Sequence, residues 1–406
     1  MTDAVQLGGA RPEGELSRRD RRALLQGNPL QATGSSRLVD VVLGALLVAD
    51  GVSAGVGPFR LPLAELAGVG LVVLAGFRRP QRSLAHFGVL AVLAFALLIF
   101  LAVSSAVNGV ADEEWLRRLF RIAVLTCLVG SFASGRLDLR GVLHGALAGL
   151  LLNIPLFYLG LAPDTYGGVL TGLLGDKNVA GLYYAVVPVL LMATTANWRH
   201  RLLLLSAAVA GTALTGSRTS LAGLACAVIW LVVAPRIGLT FRWILGIGLG
   251  LGVFWLSENL PRLFGYFADR LGSDLLRERI HAATVDKLTE TPWYGLGLGQ
   301  AHVHLDDTTW FFHNSFWGLF VEGGWPFLVI VVAAYVVLGM RPFRHAARAP
   351  SRVAVEAATL IFLVCASQLG EVFITVNGAL VLGASLLLTS AERTGPTLPE
   401  TRLVAR

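Results

Sequence analysis

The chain has 406 residues, of which 55% are hydrophobic and 15% charged, with 33 basic and 26 acidic side chains. That balance excludes an ordinary soluble domain, whose core could not absorb so much apolar surface, and it implies lipid as the solvent. The net charge of +7 does not describe a nucleic-acid-binding surface, because the basic residues punctuate the apolar runs instead of forming a patch.

Residues 1–37 are polar, carry Arg11, Arg18, Arg19, Arg21, Arg22 and Arg37, and lack an apolar core ending in a small-residue cleavage site. They read as a cytoplasmic tail and not as a signal peptide. Apolar runs follow at 38–56, 61–77, 87–107, 119–134, 141–162, 178–195, 202–216, 219–235, 242–256, 317–340, 353–369 and 371–390. They predict an all-α integral membrane protein, a polytopic bundle of about twelve transmembrane helices at ~20 residues a span. Residues 38–390 then form one membrane domain, and 391–406, with Pro396 and Pro399, form a short polar cytoplasmic tail. Cys127, Cys226 and Cys365 lie inside apolar runs without a C-x-x-C pair, so they read as small hydrophobes and imply no disulfide framework.

Orientation follows from arginine placement. Thirteen basic residues, including Arg78, Arg136, Arg199, Arg236 and Arg341, fall in connections on the side of the N-terminus. Arg60, Arg117, Arg118, Lys177 and Arg218 fall in the short connections opposite. The positive-inside rule places both termini in the cytoplasm. The one long connection, 257–316, between the ninth and tenth spans, then faces outward. Within it Leu260, Leu263, Phe264, Phe267 and Leu271 have helical spacing, as do Leu276, Ile280, Ala283 and Leu288, which predicts two amphipathic helices on the membrane face. Pro292 ends the second, and YGLGLGQ (294–300) is a turn-rich stretch that follows no strand, unlike a dinucleotide fingerprint. The glycines of GIGLGLG (246–252) read as small residues that let helices pack closely.

Three outward places concentrate polar groups beside apolar runs: GDKN (175–178), GSRTS (216–220) and the long connection through HNSFWGLFVEGG (313–324). Arg218 occupies a very short polar turn, where it serves either an anionic ligand or the phospholipid headgroups, and Lys177 has the same two readings. His313 is placed either to accept a proton from a hydroxyl or to cap the following helix. Glu322 lies in an apolar stretch, where a hydrogen bond to a neighbouring helix competes with a role in binding. In HVHLDD (302–307), His302, His304 and Asp306 would share one side of an extended segment, a loose metal pattern to which His313 would add a ligand. Trp310, Phe311 and Phe312 read as an interfacial aromatic anchor.

GDKNVAGLYYAVVPVLL (175–191), GSRTSLAGL (216–224), the stretch from Arg277 through PWYGLGLG (292–299) and HNSFWGLFVEGGWP (313–326) resemble, in order, the motifs of the O-antigen ligase and polymerase superfamily of bacterial membrane glycosyltransferases. The resemblance spans roughly residues 175–340, and the earlier spans match only as hydrophobic helices. It implies an O-antigen ligase-like enzyme of the cytoplasmic membrane with an outward active site. Such an enzyme transfers a glycan from a polyprenyl-diphosphate carrier to the hydroxyl of a lipid or glycan acceptor, without a cofactor or metal and without nucleic acid. A surface-polysaccharide polymerase of the same superfamily is the alternative, and a small-anion transporter is another, with Asp40, Asp50 and Glu65 near its pathway. Carried over by motif, Arg218 and Arg277 hold the diphosphate and His313 serves the acceptor. Arg279 competes with Arg277, because the family's tryptophan a few positions on is His281 here. Lys177, Asn178, Asn314 and Glu322 complete the expected substrate-binding set.

Overall fold

The computed structural model describes residues 37–56, 59–110, 113–263, 271–306, 308–343 and 349–394. Most of the N-terminal tail, residues 264–270 of the long connection, and the C-terminal tail from 395 lie outside the described residues, as does the side chain of Arg277.

Thirteen α-helices are formed among the described residues: α1 Leu38–Leu46, α2 Leu63–Gly76, α3 Gly88–Val107, α4 Glu113–Ala133, α5 Leu139–Tyr158, α6 Lys177–Met192, α7 Trp198–Leu214, α8 Arg218–Val233, α9 Leu239–Leu263, α10 Leu271–Glu290, α11 Ser315–Ala333, α12 Pro350–Ala366 and α13 Val376–Thr394. A helix lies on each predicted apolar run. Five are long and apolar enough to cross a membrane, at Ala85–Val107, Leu139–Tyr158, Arg218–Arg236, Leu239–Ser257 and Ser315–Met340. Leu63–Gly76, Lys177–Met192 and Val376–Glu392 are shorter apolar helices. This is a membrane protein by the length and composition of its helices.

The first expected span is not one helix. α1 stops at Leu46 after nine residues, roughly 14 Å of rise. A turn and a hairpin of β1 Ser53–Val56 paired antiparallel with β2 Phe59–Pro62 follow it. A second hairpin, β3 His302–Leu305 with β4 Thr308–Phe311, lies in the long connection, and its first strand is the segment read as extended from the alternation of His302, His304 and Asp306. α10 supplies the second predicted amphipathic helix and ends at Glu290, just before Pro292. The start of the first is the end of α9, which runs on to Leu263. α13 extends to Thr394, beyond the predicted boundary at 390.

α6 and α12 are the central helices, and every residue of α6 from Ala180 to Met192 is buried. Close small-residue packing occurs, though not at GIGLGLG. A Cβ on Gly145 of α5 would lie 1.9 Å from the Val41 carbonyl of α1, and one on Gly44 would lie 2.3 Å from the Val142 carbonyl. Gly248, Gly250 and Gly252 of α9 meet nothing within 4 Å, which corrects the packing role expected for them.

Because successive helices alternate in direction, the ends of α1, α3 and α12 and the starts of α2, α4, α6, α11 and α13 meet at one end of the bundle. At the other end arginines are anchored by acids: Arg78 pairs with the fully buried Asp40 at 2.7 Å, and Arg352 with Glu392 at 3.1 Å. Asp40 therefore holds helices together, and of the three acids near the first two predicted spans only Asp50 and Glu65 face a cavity.

Candidate functional site

The polar motifs begin helices, and each spends one side chain on doing so. Asp176 caps α6 by accepting from the backbone N–H of Asn178 at 2.7 Å and of Val179 at 3.0 Å. Ser217 caps α8, and Asn314 caps α11 through bonds from Phe316 at 2.9 Å and Trp317 at 3.3 Å. Side-chain oxygens at these positions satisfy amide donors that the first helical turn leaves unpaired. The cap of α11 is thus Asn314 and not His313.

Lys177 and Arg218 are the first residues of α6 and α8. A cation opposes the helix dipole at that end, so neither position serves helix stability. The two starts are in contact: Ser217 Oγ donates to Asn178 Oδ1 at 3.3 Å. Gly181 makes the approach possible, since a Cβ there would come within 2.6 Å of the Ser217 side chain. Lys177 Nζ lies 5.1 Å from the centre of the Tyr166 ring, while Tyr166 Oη donates to Asp176 Oδ2 at 2.5 Å. That bond and partial burial push the Tyr166 phenol up to about 12, so it remains a donor at neutral pH. Arg218 is exposed.

A cavity of 990 Å³ opens at this end of the bundle, and Asn178, His313 and Glu322 line it. Its back wall is α4. Arg118 of α4 meets Glu322 of α11 at 2.6 Å and Glu371 of the α12–α13 connection at 3.1 Å. Arg121, one helical turn on, meets Glu371 at 2.9 Å and Glu65 of α2 at 2.6 Å. The alternating chain Glu322–Arg118–Glu371–Arg121–Glu65 ties four elements together across the cavity. Burial opposes charge on Glu371, but Arg118 and Arg121 outweigh it and hold the carboxyl below its usual range.

Glu322 is 1% exposed and sits beside a break in α11, where Gly323 and Gly324 leave helical geometry. Gly324 has φ +62°, and a Cβ there would lie 1.8 Å from the Trp293 carbonyl. The break frees backbone carbonyls that the YGLGLGQ segment takes up: Leu296 N–H donates to Val321 O at 2.7 Å and Gly297 N–H to Glu322 O at 3.1 Å. Gly299 N–H reaches Glu322 Oε1 at 3.1 Å. The glycine run is a clasp on the broken helix, and it fixes the Glu322 side chain in the cavity wall.

The remaining expected residues divide between the cavity and the outer helix α10. Arg279 is not in the cavity lining, and it pairs with Asp306 at 2.8 Å on the exposed side of α10. Arg277 belongs to the same helix. The rings of His302 and His304 are 4.9 Å apart and line the cavity, but Asp306 turns away to Arg279. Among the described residues no group of three His, Cys, Asp or Glu side chains is arranged to hold a metal ion. Phe312 is 1% exposed and packs with Ile280, Val303 and Val321, so it is core and not an anchor in the interface.

Sequence reasoning missed the α4 arginines as site residues, because Arg117 and Arg118 counted only as loop charges. The available signal was spacing: Arg118 and Arg121 stand three apart at the head of an apolar helix and so share a face. Glu65 and Glu371 gave no such sign, since their partners lie far away in the chain. Compared with protein-family models and with curated proteins, the chain matches none.

Proposed function

We propose that the chain is a membrane glycosyltransferase that moves a glycan from a polyprenyl-diphosphate carrier to an acceptor hydroxyl at the outer face of the cytoplasmic membrane. In this reading about twelve segments are embedded in lipid, both termini are cytoplasmic, and the cavity opens outward. The observation that carries it is the meeting of three motifs distant in sequence. Asn178 and His313 line one cavity, and Ser217, the neighbour of Arg218, bonds to Asn178.

The chemistry needs positive charge for the leaving group and a base for the incoming one. Lys177 and Arg218 each add a cation to the positive end of a helix, and the two helix starts touch, which suits a diphosphate. The acceptor oxygen attacks the anomeric carbon, its proton passes to His313, and the bond from that carbon to the diphosphate breaks as the polyprenyl diphosphate leaves. Arg277 adds a cation from α10 in this scheme, while Arg279 remains with Asp306. Asn314 and Glu322 serve through position: one starts the helix behind His313, and the other shapes the wall.

Purified protein supplied with a polyprenyl-diphosphate-linked oligosaccharide tests the reading. Transfer is expected, with loss on Arg218→Ala and on His313→Ala and persistence in a strong chelator. Absence of any transfer with several donors, or full transfer by both variants, overturns it. Envelope glycans of a deletion strain separate the two members of the class: accumulated polymer without conjugate marks a ligase, and loss of chain extension marks a polymerase.

A further inference from the structure

Asn377 stands in the first turn of α13 and lines the cavity. Its side chain is fully buried, yet neither Nδ2 nor Oδ1 has a hydrogen-bond partner among the described residues. Buried amides are normally bonded, because burial deprives them of water. Nor is Asn377 needed as a helix cap. Thr375 fills that role, accepting from Gly378 N–H at 3.4 Å while its own hydroxyl donates to Val372 O at 2.7 Å.

The charges around the cavity differ from those of a phosphate cradle. Asp50, Glu65, Glu114, Asp176, Glu322 and Glu371 contribute carboxylates, against guanidiniums from Arg117, Arg118 and Arg121 among the described lining residues. Those guanidiniums are already bridged by acids: Arg117 and Arg121 meet Glu65 at 3.8 and 2.6 Å, and Arg118 meets Glu322 at 2.6 Å. A diphosphate entering here would face an excess of like charge. A neutral polyhydroxylated ligand would face alternating acceptors and donors, and Trp115 and Trp310 in the lining add aromatic surface of the kind that packs against the C–H side of a sugar ring.

We infer that Asn377 is a sugar-recognition residue, whose amide both donates to and accepts from the hydroxyl or acetamido groups of a neutral sugar unit held in this cavity. The diphosphate then stays at the rim beside Lys177 and Arg218. The inference rests on the glycan-transfer reading and adds which part of the substrate occupies which part of the site. An amide offering both bonding senses also discriminates, because a ligand that lacks the matching group leaves buried polar atoms unpaired.

The test uses the purified full chain in lipid nanodiscs, titrated by ligand-observed NMR with free glucose, free N-acetylglucosamine and, separately, inorganic pyrophosphate. At least one sugar is expected to bind, and Asn377→Leu is expected to weaken it by about tenfold, the loss of one or two hydrogen bonds. Pyrophosphate binding and thermal stability should be unchanged or, for stability, raised, since an unpaired amide has been removed. If leucine disturbs the fold, Asn377→Ala reads the same loss without added bulk. Equal sugar binding by wild type and both variants overturns the inference, as does pyrophosphate binding with no sugar binding. Sugar binding that depends on Asn377 while pyrophosphate fails to bind upholds the subsite and removes the diphosphate donor instead.

Discussion

Arg118 Nε lies 2.6 Å from Glu322 Oε1, joining the head of α4 to the broken turn of α11 although neither helix reveals the other in sequence. Glu322 is 1% exposed and the Arg118 side chain 15%, so the pair is withdrawn from water. Removing one partner strands the other charge. Glu322→Ala is expected to cost about 3–5 kcal/mol, read as a fall in thermal unfolding in detergent. The double variant Arg118→Met with Glu322→Leu should recover part of that stability, because the apolar pair strands neither charge of the bridge while Glu371, which loses Arg118, keeps Arg121 at 2.9 Å. A double variant as unstable as the single one would assign the loss to packing.

Gly324 offers a backbone test of the same corner. Its φ of +62° and the 1.8 Å approach of a built Cβ to the Trp293 carbonyl leave no room for a side chain. Gly324→Ala should destabilise the protein by more than about 1 kcal/mol and loosen the 294–300 clasp. Faster protease cleavage near that segment is the expected sign. Gly248→Ala on α9 is the control, since nothing lies within 4 Å of it.

Arg218 and His313 should fail for different reasons. Arg218→Ala is expected to reduce transfer by roughly 10²-fold, as for other donors to a developing anion. Lysine should restore little of it, because an ammonium does not reproduce the guanidinium fork. His313→Ala should lower kcat by about 10²- to 10⁴-fold while donor binding survives. Loss of donor binding in the histidine variant would move His313 from base to ligand.

Acid should unlock the charge chain at Glu371. Arg118 and Arg121 hold this carboxyl below its ordinary range against the opposing effect of burial. A depressed folded pKa gives stability that is complete above the unfolded value of about 4.3 and is lost as pH falls through the folded value. Wild type should therefore lose thermal stability on acidification below that range more steeply than Glu371→Gln, which has no such proton to take up. Parallel pH profiles for the two proteins would remove Glu371 from the chain.

Orientation is checked by labelling in a cysteine-free background with Cys127, Cys226 and Cys365 replaced by alanine. Both Thr308 and Arg199 are exposed. Cysteine at Thr308 should react with an impermeant maleimide in intact cells, and cysteine at Arg199 only after lysis. The reverse pattern would turn the cavity toward the cytoplasm and sink the proposed donor and acceptor geometry with it.

Apolar runs of membrane length determine where helices form, because lipid leaves a backbone no partner but itself, so all the major helices were legible in the sequence. So was the place of GDKN, GSRTS and HNS at the heads of helices, where polar residues either cap or bind. Sequence alone did not tell which residues cap: Asp176, Ser217 and Asn314 do, and Lys177, Arg218 and His313 stand next to them. The short first helix and the first hairpin were illegible, and of the second only the extended stretch at 302–304 showed, as strands of four residues carry too little periodicity to separate from a turn. Only the tertiary structure decided that Arg118, Arg121, Glu65, Glu371 and Asn377 face one cavity. They come from three apolar runs or their edges, far apart in the chain, and an ion pair across helices depends on which faces pack together, a property of the assembled bundle that no local spacing encodes.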